Sequence, residues 1–291
     1  VNVHEAIKLG NEERGRYIEN YKQTIRNLAG FGVKVICYNF MPVFDWTRTD
    51  MFRPLEDGST ALFFEKAKVE SLDPQELIRT VEDASDMTLP GWEPEKLARI
   101  KELFAAYRTV DEEKLWDNLS FFLQEILPVA EAYGVQMAIH PDDPPWPIFG
   151  LPRIITGEAS YKKLRAISDS PSITLCTGSM GANPANDMVE IAKTYAGIAP
   201  FSHIRNVKIY ENGDFIETSH LTKDGSINIQ GVMEELHKQD YEGYVRPDHG
   251  RHLWGEQCRP GYGLYDRALG IMYLNGLWDA YEAMAKKEVG V

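Results

Sequence analysis

Four side chains able to bind a metal stand at the ends of four successive short apolar runs. His140 closes the run VQMAI at 135–139, and Cys176 closes ITL at 173–175. His203 lies in FSHIRNV at 201–207, and Asp248 follows YVRP at 244–247. Steps of 36, 27 and 45 residues separate the four, and each step has room for one strand and one returning helix. In a barrel of alternating strands and helices, side chains at the carboxyl ends of strands converge on one mouth. An imidazole, a thiolate, a second imidazole and a carboxylate meeting there would bind a divalent transition metal. Each residue alone has a plain structural explanation, because a buried Cys is usually a small apolar residue and Asp248 has Arg246 and Arg251 close by in the sequence. The joint placement, one donor at each strand end, is what points to a metal.

The elements that must position these donors can be read from hydrophobic period. Residues 16–29 place Tyr17, Tyr21, Ile25 and Leu28 at helical spacing, with Gly30 and Gly32 as a stop. Residues 33–40 (VKVICYNF) read as a buried strand. From 41 to 111 the pattern changes, with the clusters Phe44-Asp45-Trp46 and Phe63-Phe64, the turn signal Asp57-Gly58 and Pro-led helix starts at Pro74 and Pro94. This segment reads as a helical insertion over the barrel mouth, with 95–107 as its clearest helix. Helix 112–133 carries Leu115, Leu119, Phe122, Ile126 and Val129 near one face, and Pro128 is expected to kink or end it. The rhythm is regular from there: strand 135–140, helix 159–168, strand 173–176, helix 184–196, strand 203–209, helix 228–239, strand 243–248 and helix 265–285. Strands alternating with helices imply a parallel sheet. Five strands are counted, with residues 1–4 as the tail of a sixth, where a closed barrel of this class needs eight. The expectation is an α/β (β/α)8 TIM barrel lacking its N-terminal two or three β/α units. Residues 1–291 form a single catalytic domain on this view, with 41–111 as its lid.

Composition narrows the function. At 43% hydrophobic and 26% charged residues, the 291-residue chain is ordinary for a soluble globular protein. A net charge of −13 argues against nucleic acid, whose phosphates need clustered Lys and Arg. It also means that an anionic substrate must be held by local positive charge, such as a metal or a buried Arg. No apolar run approaches the roughly 18 residues of a membrane span, and no signal-peptide pattern opens the chain. Three widely spaced cysteines, Cys37, Cys176 and Cys258, make no disulfide framework, so a reducing cytoplasm is the expected home.

Several segments are long and unusual enough to be specific. CYNFMPVFDWTRTD (37–50), IHPDDPP (139–145), LCTGSMGANPAND (175–187), HIRNVK (203–208), ETSH (217–220) and RPDHGR (246–251), followed by RPGYG (259–263), resemble the mannonate dehydratase family. The likeness runs from Val1 nearly to the C-terminus. What it implies is a (β/α)8 barrel that dehydrates D-mannonate to 2-keto-3-deoxy-D-gluconate in hexuronate catabolism, using Mn²⁺ or Fe²⁺. The family's metal ligands fall on His140, Cys176, His203 and Asp248, the same four reached by spacing. Its catalytic tyrosine and histidine fall on Tyr262 and His249. The family's first strands and helices have no counterpart in these residues.

Losing water from a sugar acid means removing the proton beside a carboxylate and expelling the neighbouring hydroxyl. A divalent cation would stabilise the charge that builds on the carboxylate, and Tyr262 and His249 are of the types that exchange protons with the substrate. Which of them gives and which takes is left open. Arg205 with Asn206 beside it, Asn39 and His220 are the candidates for holding sugar oxygens. Two other readings compete: a metal-dependent sugar isomerase or epimerase on the same barrel, and a non-catalytic metal-binding barrel fragment. A thiolate ligand speaks against the first, whose sites favour Glu, Asp and His. The expected partner is a small sugar acid, with no nucleic acid and no membrane, and a homodimer stays open.

Overall fold

The apolar residues Leu115, Leu119, Phe122, Leu123, Ile126 and Leu127 recur at helical spacing, and a helix over this stretch gains most by turning them all inward. The computed structural model, which describes residues 1–71 and 99–288, does this, leaving each of the six at 5% exposure or less. In chain order its elements are α1 (Glu5–Leu9), α2 (Arg14–Gly30), β1 (Val35–Tyr38), β2 (Asp50–Pro54), β3 (Thr60–Phe64) and α3 (Lys66–Ser71). Then come α4 (Ile100–Tyr107), α5 (Glu112–Ala132), β4 (Gln136–Ile139), α6 (Glu158–Ile167), β5 (Ser172–Cys176) and α7 (Thr177–Met180). The chain goes on through α8 (Met188–Tyr195), β6 (Phe201–His203), β7 (Val207–Ile209), β8 (Phe215–Glu217), α9 (Ile229–Lys238), β9 (Tyr244–Arg246) and α10 (Leu264–Glu288).

Two compact units divide these elements, one of Val1–Thr47 with Ala67–Thr174 and one of Arg48–Lys66 with Leu175–Val291. In the first, β1 and β4 run parallel in the register Val35↔Gln136 to Tyr38↔Ile139. β4 pairs parallel with the start of β5, Ala138↔Ser172 and Ile139↔Ile173. Helices α2 and α5 bury their apolar faces in this unit, and the Phe122 ring meets Tyr21, Tyr38 and Phe40 at centroid distances of 5.1, 5.9 and 5.9 Å. All five residues of β5 are buried, as befits a strand covered on both faces.

Helix α5 starts where Asp111, in extended conformation, accepts a hydrogen bond from the Lys114 amide at 2.8 Å. That carboxylate satisfies one of the amides a helix start leaves unpaired. Asp111→Ala is therefore expected to cost about 1 kcal/mol of stability. Urea unfolding would read the loss, and an unchanged midpoint would show that the cap contributes nothing. Pro128 does not end α5, which continues to Ala132.

The second unit holds a four-stranded antiparallel sheet in the order β2-β3-β8-β7. It also holds the parallel pair β6 and β9, in the register Phe201↔Tyr244 to His203↔Arg246. Here the expectations for 41–111 and 203–209 need correcting. Residues 50–54 and 60–64 are strands rather than helix, because Gly58 at φ +80° turns the chain and β-branched and aromatic residues follow. The expected strand 203–209 splits in two. The Arg205 amide leaves the ladder to donate to Thr177 Oγ1 at 2.9 Å, and β7 joins the antiparallel sheet instead. Residues 1–4 are not a strand, and His4 caps α1 through Nδ1. The helix starts at Pro74 and Pro94 lie outside the described residues, and helix 95–107 is described from Ile100. Among the described residues five strands run parallel, and no helix is long and apolar enough to cross a membrane.

Candidate functional site

Strands deliver the donors to their carboxyl ends. Cys176 is the last residue of β5, His203 the last of β6, and Asp248 lies two residues beyond β9. The described residues contain a group of His, Cys and Asp side chains able to hold a metal ion, and its members in the second unit are Cys176, His203 and Asp248. Their ligand atoms lie within 4.8 Å of one another. His203 Nδ1 is 3.4 Å from Asp248 Oδ1, and Cys176 Sγ is 4.0 Å from Asp248 Oδ2. All three residues are buried, at 5% exposure or less. Asp248 holds φ at +53°, a left-handed conformation that few residues other than glycine adopt. Such strain persists where the surroundings need a side chain aimed in one direction.

A soft thiol, an imidazole and a carboxylate gathered out of water fit a divalent first-row transition metal far better than magnesium or calcium, which prefer oxygen alone. Outer partners of the donors are in place as well. Asp248 Oδ2 accepts Arg205 Nε at 2.9 Å, and Cys176 Sγ sits 3.1 Å from Ser179 Oγ. Fixing a ligand through its second atom is how proteins orient metal sites.

Arg205 is the hub of this second layer. Its Nη1 donates to both oxygens of Glu217, at 2.7 and 2.8 Å, and Nη2 to Ser179 Oγ at 3.0 Å. Gly178 makes room for it, since a Cβ there would lie 2.4 Å from the guanidinium. Glu217 also receives Arg48 Nη2 at 2.7 Å and faces His249 Nδ1 at 3.1 Å. Burial by itself would push the Glu217 carboxyl up. Arg205, then His249 and Arg48, outweigh it and bring the pKa down to about 2.

Tyr262 and His249 meet edge to face, with centroids 5.6 Å apart. The guanidinium groups of Arg259, Arg267 and Arg246 lie 5.0, 5.6 and 6.0 Å from the Tyr262 ring centre. An electropositive collar of this kind is unusual in a chain of charge −13 and suits an anionic substrate. Gly261 at φ +79° turns the loop so that Tyr262 can bridge to Gly250, next to His249. A groove of about 1040 Å³ over the antiparallel sheet, lined by Arg53, Lys208, Tyr210 and Arg251 among others, includes none of the donors.

The other expected site residues are placed as follows. His140 follows β4 directly in the first unit, half-buried, with Nδ1 2.7 Å from the Pro141 carbonyl. Asn39, also in the first unit, donates to Asp45 at 3.2 Å. Asn206 spends its amide on the backbone, giving to Leu221 O and accepting from Ile227 N, both at 3.0 Å. His220 is buried with Nε2 2.7 Å from the Pro247 carbonyl, and burial holds its pKa below the usual value against that hydrogen bond. Arg205 and Asn206 thus use their hydrogen-bonding groups on protein partners, while His220 spends Nε2 on the Pro247 carbonyl and its buried Nδ1 has no hydrogen-bond partner among the described residues. Arg48, Ser179 and Glu217 were missed from the sequence. A signal for Glu217 did exist, since an acidic residue ends the apolar run Phe215-Ile216 much as the metal donors end theirs.

Comparison with known proteins shows the family. The family model described as D-mannonate dehydratase (UxuA) matches residues 1–288. A mannonate dehydratase of Bacillus subtilis (strain 168) is 99% identical over all of this chain and 82% of its own length. One from Shouchella clausii (strain KSM-K16) is 63% identical over 99% of this chain and 81% of its own length. Among solved structures, mannonate dehydratase from Streptococcus suis serotype2 superposes with a TM-score of 0.87 at 44% identity, covering 98% of this chain and 77% of that one. A xylose isomerase-like TIM barrel protein from Mycobacterium smegmatis, solved in complex with magnesium, gives a TM-score of 0.50 at 12% identity, covering 93% and 69%. At that identity it bears on the fold alone, and the fold is of the TIM-barrel class.

Proposed function

The chain belongs to the D-mannonate dehydratase family, and from that premise we propose that His140, Cys176, His203 and Asp248 hold its divalent metal, Mn²⁺ or Fe²⁺, with Tyr262 and His249 moving the protons. The activity is that of a hydro-lyase, converting D-mannonate to 2-keto-3-deoxy-D-gluconate and water. The observation that carries the site assignment is the cluster of thiol, imidazole and carboxylate at the ends of β5, β6 and beyond β9. His140 enters as the fourth donor because it follows β4 directly, as Cys176 closes β5 and His203 closes β6.

When bound, the cation supplies Lewis-acid stabilisation of the charge that builds on the substrate carboxylate as the C2 proton leaves. The chain's own side chains do the rest. His249 Nε2 and the Tyr262 hydroxyl are the two groups able to take the C2 proton and to protonate the departing C3 hydroxyl. The guanidinium groups around Tyr262 favour an anionic sugar acid over a neutral sugar. Asn39 remains the amide to contact sugar oxygens, whereas Arg205, Asn206 and His220 hold the loops that carry the donors.

The test is direct. Protein stripped with a chelator is expected to lose turnover of D-mannonate, and stoichiometric Mn²⁺ or Fe²⁺ should restore it, read as 2-keto-3-deoxy product. Full turnover in metal-free protein would remove the metal from the reaction.

A further inference from the structure

Glu217 has a geometry the reaction scheme above does not use. The residue ends β8, is 3% exposed, and presents Oε1 to three donors: Arg48 Nη2 and Arg205 Nη1, each at 2.7 Å, and His249 Nδ1 at 3.1 Å. We propose that Glu217 is a positioning residue for proton transfer: it holds the proton of His249 on Nδ1 and so makes Nε2 the working nitrogen. This rests on the assignment of His249 as an acid–base group.

The chemistry follows from what each group can offer. An ionised carboxylate only accepts hydrogen bonds. A neutral imidazole has one N–H and one lone pair, and the partner of one nitrogen dictates which it is. With a carboxylate oxygen at 3.1 Å, Nδ1 must be the donor, and the lone pair falls on Nε2. That nitrogen lies 3.9 Å from Asp248 Oδ2, beside the donor group. Two arginines around Glu217 keep it charged in spite of burial, so it serves as a fixed acceptor rather than competing for the proton. The Tyr262 ring, edge to face at 62°, packs against the imidazole and restricts its rotation. A buried carboxylate that orients a histidine and fixes its tautomer is the arrangement by which hydrolases prepare theirs.

The experiment compares His249→Ala, Glu217→Gln and the double variant in the metal-loaded enzyme, with metal content and melting temperature measured for each. His249→Ala alone tests the parent assignment and is expected to lose about 10²-fold or more in kcat. Glu217→Gln should lose about 10²-fold in kcat at nearly unchanged KM, and the double variant should be no slower than His249→Ala, because both changes disable one device. A slow His249→Ala beside a Glu217→Gln of nearly normal kcat would overturn the role of Glu217 alone, as would losses that multiply in the double variant. A normal His249→Ala would instead overturn the parent assignment. Should Glu217→Gln fail to fold, wild-type protein answers the question. Its ¹⁵N-histidine NMR spectrum in the Zn²⁺-loaded form should show the His249 ring protonated on Nδ1, and a proton on Nε2 would refute the proposal.

Discussion

Tyr262→Phe is expected to keep its fold and its metal and to lose about 10²-fold or more in turnover, the usual scale for a removed acid–base group. The change deletes one hydroxyl and leaves the ring. The packing of that ring against His249 and the stacked guanidinium groups of Arg259 and Arg267 therefore survive. A loss of kcat without loss of stability would separate chemistry from structure. Gly263, where an added Cβ would lie 1.7 Å from the Arg251 carbonyl oxygen, helps hold the loop on its course, so the phenol position should not drift in the variant. Tyr265 is the control. It is 47% exposed, meets the Trp254 ring at a tilt with centroids 5.2 Å apart, and its Phe variant should work normally. Near-normal turnover of Tyr262→Phe, with metal occupancy confirmed, would leave His249 as the main proton carrier.

Cys176→Ser should strike the metal itself. The substitution replaces a soft anionic donor with a neutral hydroxyl of similar shape, beside His203 and Asp248, which are buried like Cys176 itself. Losing merely an outer partner of a ligand typically costs about 10–100-fold in metal affinity. The loss of a direct thiolate should exceed about 10²-fold and carry turnover with it at low metal concentration. Competition with a chelator would read the affinity, and raising the metal concentration should recover part of the rate. Cys258→Ser gives the comparison, since Cys258 lies outside the donor group and its variant should bind metal normally. Equal affinity in the Cys176 and Cys258 variants would show that the thiolate is not a ligand.

The choice between dehydratase and isomerase or epimerase was open on residues alone, because enediolate chemistry uses similar parts. The family match and the relatives at 99% and 63% identity decide it for the dehydratase. His140 and Cys176 stood out because the largely buried strands β4 and β5 before them are continuous apolar runs, as strands covered on both faces are. A histidine, cysteine or aspartate at the end of such a run is conspicuous. Helices α2 and α5 were equally plain, since each shows one apolar face at a period near 3.6 over four turns or more.

Short antiparallel strands carry no comparable signal. β7 and β8 are three residues each, and β3 finds its partner β8 about 150 positions along the chain. No local period encodes a pairing of that span, so 50–64 was read as helix. The roles of the charged residues were hidden for the same reason. Arg205 looks like a substrate clamp from its type, and nothing local to Glu217 names its partners. Arg48 reaches Glu217 across 169 residues of sequence, and Gly178 admits the Arg205 guanidinium by lacking a side chain. The sequence by itself determined the candidate donors, their strand ends and the alternation of parallel strands with helices, because each follows from a repeat that local spacing displays. Tertiary structure alone decided which charges point to one another. A buried ion pair is set by the meeting of distant segments, and desolvation makes that meeting specific only once the chain has folded.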